Sequence, residues 1–204
     1  MIKDFPTIIK TERLEMRQLE PTLENAALVF DALKNEDPED FKFNPTTAFD
    51  PQLKKNQIIL PESVEDMLET MKEKTIWCTG DTYNDPGATY YIFLDDKLIG
   101  FRRIHWNESF KTLQSSEAWL VKSARHNGYA KESMDAIEKL AFVDFEANRI
   151  TRQCNAMNVQ SAKSIERSGF HLDGIARQSI VNPDGYFGDN MMWSKLKSEY
   201  KADA

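Results

Sequence analysis

Cysteine is nearly absent from this chain. Cys78 and Cys154 are the only two among 204 residues, too few for a disulfide framework and in keeping with a reducing compartment. Glycine and proline are sparse, at eight each, which excludes collagen-like and low-complexity architectures. Long apolar runs are missing too. Tyr90 to Leu94 is the most apolar short stretch, far below the span of a membrane helix. Asp4 and Pro6 interrupt Met1 to Lys10 where a signal peptide would need a continuous apolar region. Basic charge is the scarcer sign, with 26 Lys and Arg against 33 Asp and Glu and a net charge of −7. No basic stripe offsets that balance, so a nucleic-acid partner is not expected. His105, His126, His171 and the two cysteines show no metal-ligand spacing, and neither a Walker loop nor a Ser/His/Asp order is present. Asn107-Glu108-Ser109 matches a glycosylation triplet, but no secretory signal accompanies it. The expectation is a soluble cytoplasmic protein without metal, membrane or nucleic acid.

The chain has the material for one core, with 41% hydrophobic and 11% aromatic residues. At this length a single domain buries roughly 70% of its unfolded-chain surface. Glu12 to Leu19 alternates like a strand. Pro21-Thr22 opens a helix with Leu23, Ala26, Ala27, Phe30 and Leu33 on one face. Asn35 to Leu60 reads as irregular, and long loops are often functional. Ser63 to Asp66 resembles a capping box, followed by a face of Val64, Met67, Leu68 and Met71. Thr79 to Gly87 is turn-rich. Thr89 to Leu94 and Lys97 to Trp106 read as a hairpin through Asp95-Asp96, and Leu113 to Val121 as a further strand.

From there strands and helices alternate. Gly128 to Glu146 predicts a helix with Ala130, Met134, Ile137, Ala141 and Phe145 inward, and Arg149 to Asn155 a short strand. Asn158 caps a last helix whose Gly169, Phe170 and Ile165 fit a Schellman ending. His171 to Val181 and Tyr186 to Leu196 flank the turn Asn182-Pro183-Asp184-Gly185. With no internal repeat and no linker, residues 1–204 read as one mixed α+β domain.

The chemistry concentrates between Trp119 and Glu132, where a strand, a short loop and a helix start in sequence. Unpaired N–H groups and the dipole at a helix start attract anions, and a glycine admits a phosphate close to the backbone. Arg125, His126 and Lys131 add positive charge around Gly128. The competing reading is an ordinary turn with a basic rim.

Arg125-His126-Asn127-Gly128-Tyr129-Ala130 resembles the Arg/Gln-x-x-Gly-x-Gly/Ala signature of the GNAT superfamily of acyl-CoA N-acyltransferases. Asn158-x-x-Ser161 leading into Glu166-Arg167-Ser168-Gly169-Phe170 is similar to the ending of its RimJ/RimL-type branch. Thr11-Glu12-Arg13-Leu14, Leu98-Ile99-Gly100 and Trp119-Leu120 look like three more of its motifs, in family order, over about Thr11 to Leu196. The resemblance implies a single GNAT-type domain. Its sheet would be central and mostly antiparallel, of about seven strands with a splayed parallel pair, flanked by about four helices. It also implies acetyl-CoA as cosubstrate. Backbone groups of Leu120 and Val121 would pair the pantetheine arm. Arg125, His126, Asn127, Gly128, Tyr129, Ala130 and Lys131 would hold the pyrophosphate, and Asn158 and Ser161 would complete the cofactor contacts. Asn158 is equally a helix cap.

Amine acetylation needs an ammonium deprotonated and a thiolate reprotonated. Holding the two reactants together is worth up to about 7–11 kcal/mol. The family's usual tyrosine donor position holds Ile165, so Ser161, the donor in RimL-like members, is the candidate acid. The branch's usual glutamate position holds Ser115. Glu117, two residues on and on the same face of a regular strand, is the candidate base unless a bulge intervenes. His105 is a second candidate. Tyr186, Phe41 and Phe43 are candidates for lining the acceptor site, and each equally reads as loop packing. The acceptor implied is a protein N-terminal amine or a small amine, chosen by the 35–60 segment. A non-catalytic acyl-CoA sensor and an interaction module stay open beside the enzyme, and nothing in the sequence decides for or against a homodimer.

Overall fold

The computed structural model describes residues 4–41, 43, 47–50, 55–58, 60–78, 86–182 and 184–201. Its strands are β1 (Ile8–Lys10), β2 (Glu15–Arg17), β3 (Thr47–Asp50), β4 (Lys55–Ile58), β5 (Gly87–Leu94), β6 (Lys97–Asn107), β7 (Thr112–Leu120), β8 (Arg149–Asn155), β9 (His171–Val181) and β10 (Phe187–Leu196). Its α-helices are α1 (Leu23–Leu33), α2 (Val64–Cys78), α3 (Tyr129–Lys139) and α4 (Val159–Arg167). Eight strands follow the order β1-β2-β5-β6-β7-β8-β10-β9, and β3 and β4 form a separate ribbon. The described pairings, β1/β2, β2/β5, β5/β6, β6/β7 and β9/β10, are antiparallel. β8 follows β7 through α3, the kind of crossover that parallel neighbours require. The expected mixed α+β sheet is present with one strand more than anticipated. The described part of the 35–60 segment is not irregular. It holds a 3₁₀ turn, Pro38–Phe41, and the β3/β4 ribbon.

The chain divides into two compact units, with one boundary within β8. The first comprises Met1–Glu36, Pro61–Ile150 and Leu196–Ala204. Thr22 caps α1 by accepting the Asn25 N–H, and Ser63 Oγ caps α2 by accepting the Asp66 N–H at 3.1 Å. Ala26, Val29, Met67, Met71, Tyr91, Phe93 and Leu98 form one apolar cluster, with Phe30, Leu33, Val64 and Leu68 packed against it. Leu23 is exposed instead, and Val29 takes its place on the inner face of α1. The expected strand at Glu12–Leu19 shortens to β2 because Thr11 and Leu14 close a turn before it. Asp95 and Asp96 both take positive φ, the geometry of a tight hairpin turn. Met134, Ile137, Ala141 and Phe145 are buried as expected, and Ala130, at the solvent-facing start of α3, is not. The helix ends in a π turn, Leu140–Asp144. Of the turn expected at Thr79–Gly87, residues 79–85 lie outside the described residues.

The second unit comprises Asp37–Leu60 and Thr151–Lys195. Asn158 Oδ1 accepts the Ser161 N–H at 3.0 Å and caps α4. The Phe170 N–H reaches Ile165 O and the Gly169 N–H reaches Glu166 O. With Gly169 at φ +79°, this is the Schellman ending the sequence predicts. The hairpin between β9 and β10 is locked by Asn182, whose side chain fills the space a Cβ on Gly188 would need.

Candidate active site

The end of β7 is anchored by the Val121 N–H bonding Ile99 O at 2.8 Å. A 3₁₀ turn, Lys122–Ala124, follows, and the loop then passes through two left-handed residues, His126 at φ +65° and Gly128 at φ +84°. Gly128 is the N-cap of α3 and brings no capping side chain. The N–H groups of Lys131 and Glu132 both bond Gly128 O at 3.0 Å. The N–H groups of the preceding residues, at the first positions of the helix, have no intrahelical acceptor. His126, Asn127, Gly128 and Ala130 are exposed. A short loop thus presents a helix N-terminus, and its partial positive charge, to solvent.

The start of α3 is held from behind. Glu132 Oε1 accepts the Thr11 hydroxyl at 2.5 Å and the Arg13 backbone N–H at 2.9 Å. The Arg13 guanidinium lies 2.6 Å from Glu132 Oε2, donates to Asn127 O at 3.1 Å and stacks over the Tyr129 ring at 4.6 Å. Burial pushes the Glu132 carboxyl up, but the Thr11 hydroxyl, the Arg13 N–H and the Arg13 side chain outweigh it and hold it below the ordinary carboxylate range. The Thr11-Glu12-Arg13-Leu14 motif therefore clamps the first turn of α3.

Of the basic side chains named from sequence, Arg125 and Lys131 are engaged within the fold. Arg125 Nε donates to Leu120 O at 2.9 Å, and its Nη2 lies 3.6 Å from Glu36 Oε2. The same Glu36 oxygen accepts the Lys122 N–H at 2.9 Å. Lys131 pairs with Asp135 at 2.6 Å. The positive character of the loop thus rests on backbone groups more than on a ring of free cations. Glu36 was not among the residues singled out from sequence, because nothing near it in the chain marks a contact with Lys122.

The middle of β7 corrects the reasoning about shared faces. Ser115 pairs with Ile104 and Glu117 with Arg103, so Ser116 is an extra residue, a bulge. As a result Ser115 and Glu117 do not share a face. Ser115 Oγ accepts Arg102 Nη1 at 3.2 Å, on the side where Arg102 also reaches Ala130 of α3. Glu117 turns the other way, to Arg103 Nη1 at 2.6 Å. The Arg103 and Glu117 side chains are only 5% and 6% exposed. Arg103 Nε also donates to Thr89 Oγ1 at 3.0 Å. Leu98 to Trp106 carried the one signal that could have revealed this pair, two adjacent arginines inside an apolar strand. The His105 ring lies against Gly87, where an added Cβ would come within 2.8 Å of its Nδ1.

In the second unit, Ser161 occupies the third position of α4, and its side chain and that of Trp193 lie beside the Cys154 thiol. Burial raises the Cys154 thiol above its ordinary pKa, with those two contacts opposing the rise. Cys154, near the candidate acid, was missed because a lone cysteine in a strand carries no motif. Ile165 is fully buried, as is Phe41, which serves packing instead of lining an accessible surface. Tyr186 is 72% exposed. Among the described residues no group of His, Cys, Asp or Glu could hold a metal, and no helix is long and apolar enough to cross a membrane.

Residues 13–171 match the acetyltransferase (GNAT) domain family. The chain belongs to the GNAT family and is a GNAT-type N-acetyltransferase. Several solved structures share its fold. A GNAT-family protein of Chromobacterium violaceum superposes with a TM-score of 0.77 at 20% identity, over 97% of this chain and 89% of that one. A GCN5-related N-acetyltransferase of Brucella melitensis gives 0.74 at 18% identity, over 95% and 80%. RimL, a ribosomal L7/L12 α-N-protein acetyltransferase in complex with coenzyme A through a disulfide to its own cysteine, gives 0.73 at 17% identity, over 95% and 99%. No curated protein matches the sequence. Members of the GNAT family use acetyl-CoA, and the uncapped glycine start of α3 in this GNAT protein has the chemistry a diphosphate needs.

Proposed function

We propose that this GNAT protein transfers an acetyl group from acetyl-CoA to a primary amine by direct attack in a ternary complex, residues 1–204 acting as one catalytic domain. The observation that carries the reading is the β7–loop–α3 junction, whose left-handed Gly128 leaves an exposed helix start open to an anion. His126, Asn127, Gly128, Tyr129 and Ala130 would receive the diphosphate through their backbones, and Leu120, Val121 and Asn158 the pantetheine arm. Arg125 and Lys131 would contribute charge after partial release from Glu36 and Asp135. The acceptor is a protein N-terminus or a small amine, in keeping with the RimJ/RimL-like motifs, and the 35–60 segment would choose it.

The amine nitrogen attacks the thioester carbonyl carbon. A C–N bond forms, the C–S bond breaks, and the departing thiolate takes a proton. Ser161 is the proposed donor. Its contact with a thiol kept neutral by burial supports a proton-bearing environment. Glu117 is the proposed base. Its carboxylate is already engaged by Arg103 at 2.6 Å, so the ammonium proton would leave through water that Glu117 orients. The same salt bridge, with the buried Ile165, favours a second reading, a non-catalytic acyl-CoA sensor. Coenzyme A release measured over a panel of amines and peptide N-termini separates the two. Turnover with any acceptor supports the enzyme. Calorimetric binding of acetyl-CoA without release on any acceptor supports the sensor.

A further inference from the structure

Arg102 takes no part in the chemistry above, yet it is only 2% exposed in the middle of β6. Its fork reaches three oxygens on two elements. Nη1 donates to Ser115 Oγ at 3.2 Å, and Nη2 donates to Ala130 O at 3.1 Å and Ser133 Oγ at 3.2 Å. The Ser133 hydroxyl donates in turn to Ala130 O at 3.1 Å. One planar group therefore joins the residue preceding the Ser116 bulge to the first turn of α3. Ala130 is the second residue of that helix, so its carbonyl is fixed from the buried side while its turn faces solvent.

A cation at this end of a helix adds to the macrodipole instead of offsetting it. The potential on the solvent side of the turn rises accordingly, at the place where an anion is to be received. Arginine suits this role better than lysine, because its rigid fork holds several acceptors at once.

We propose that Arg102 is a positioning residue for the diphosphate of acetyl-CoA. It ties the first turn of α3 to the β7 bulge and adds buried positive charge behind the helix start. The proposal deepens the acetyl-CoA reading and rests on it.

The test compares coenzyme A, followed by calorimetry, with pantetheine, which has the same arm without the diphosphate, followed by ligand-observed NMR. For Arg102→Met, coenzyme A binding should weaken about tenfold, the scale of a favourable partly buried charge at a helix terminus. Pantetheine binding should stay within about twofold of the wild type, since no diphosphate is involved. Arg102→Lys, which keeps the charge and loses the fork, should fall between the two proteins. Thermal unfolding checks that each variant folds. If Arg102→Met does not fold, Ser133→Ala decides, since it removes one anchor and leaves the charge. A selective loss for coenzyme A, about threefold, supports the role. Equal weakening of both ligands, or unchanged coenzyme A binding, overturns it. A wild type silent towards both ligands overturns the acetyl-CoA reading and this proposal with it. A binding wild type with unselective variants overturns the proposal alone.

Discussion

Gly128 combines a left-handed backbone, φ +84°, with a neighbour, Arg13 Nη2, that would sit 3.3 Å from any added Cβ. A β-branched residue is strained there by about 1–3 kcal/mol, and its side chain would stand where an anion must approach the backbone. Gly128→Val should therefore lower the melting temperature and abolish the calorimetric signal of coenzyme A. Ser161→Ala removes a hydroxyl while Asn158 still caps α4 through the Ser161 backbone N–H. Turnover should fall by about a hundredfold if Ser161 is the proton donor, with coenzyme A affinity almost unchanged; equal turnover in the two proteins removes Ser161 from the chemistry. Glu117 invites two substitutions with different meanings. Glu117→Ala leaves Arg103 buried without its carboxylate and should cost about 3–5 kcal/mol in chemical denaturation. Glu117→Gln keeps a hydrogen-bond acceptor, so a change in its pH–rate profile reports on proton transfer. An unchanged profile places the base elsewhere.

At the scale of elements, the first turn of α3 depends on a clamp from the N-terminal segment. Glu132 holds Thr11 and Arg13, and its carboxyl sits below the ordinary range. A depressed carboxyl contributes stability that is complete above its unfolded-state pKa and lost as pH falls through its folded-state value. Glu132→Gln should thus melt well below the wild type at neutral pH, and the gap should close as pH falls below the ordinary carboxylate range. A gap that persists in acid would assign the effect to packing.

Much of this level was legible in the sequence. Thr22, Ser63 and Asn158 announced helix starts by their capping chemistry, Gly169 and Phe170 announced a stop, and period-four spacing marked the inner face of α3. Other features were not, for physical reasons. Alternation in β7 continues unbroken as a pattern, so the extra residue at Ser116 shows only in the pairing with β6. Thr47–Asp50 and Lys55–Ile58 carry little apolar alternation, and their ribbon is held by backbone bonds that side-chain patterns do not report. Within the candidate site, the loop and glycine were readable because their spacing is local. Arg103, Glu36 and Cys154 gain meaning only from partners distant in the chain.

Across the whole molecule, a net charge of −7 must coexist with a polyanionic cosubstrate. Repulsion between the two acts over distance and is screened within about 10 Å at 0.1 M salt. Attraction by the helix start acts at contact. Association of coenzyme A should therefore speed up with added salt, the reverse of a binding site steered by a basic surface, and stopped-flow mixing across ionic strengths checks the sign. Saturating coenzyme A should also raise the unfolding free energy, by about 2.7 kcal/mol at a hundredfold excess over Kd, and a melt with and without ligand reads this directly.

The Thr11–Glu132 bond joins residues 121 positions apart. During synthesis the turn that carries Thr11 and Arg13 leaves the ribosome long before its partner exists. At about 5–20 residues per second the wait lasts roughly 6–24 s. The first turn of α3 is therefore among the later parts of this protein to mature, and a nascent chain released early would lack the junction proposed to receive its cosubstrate.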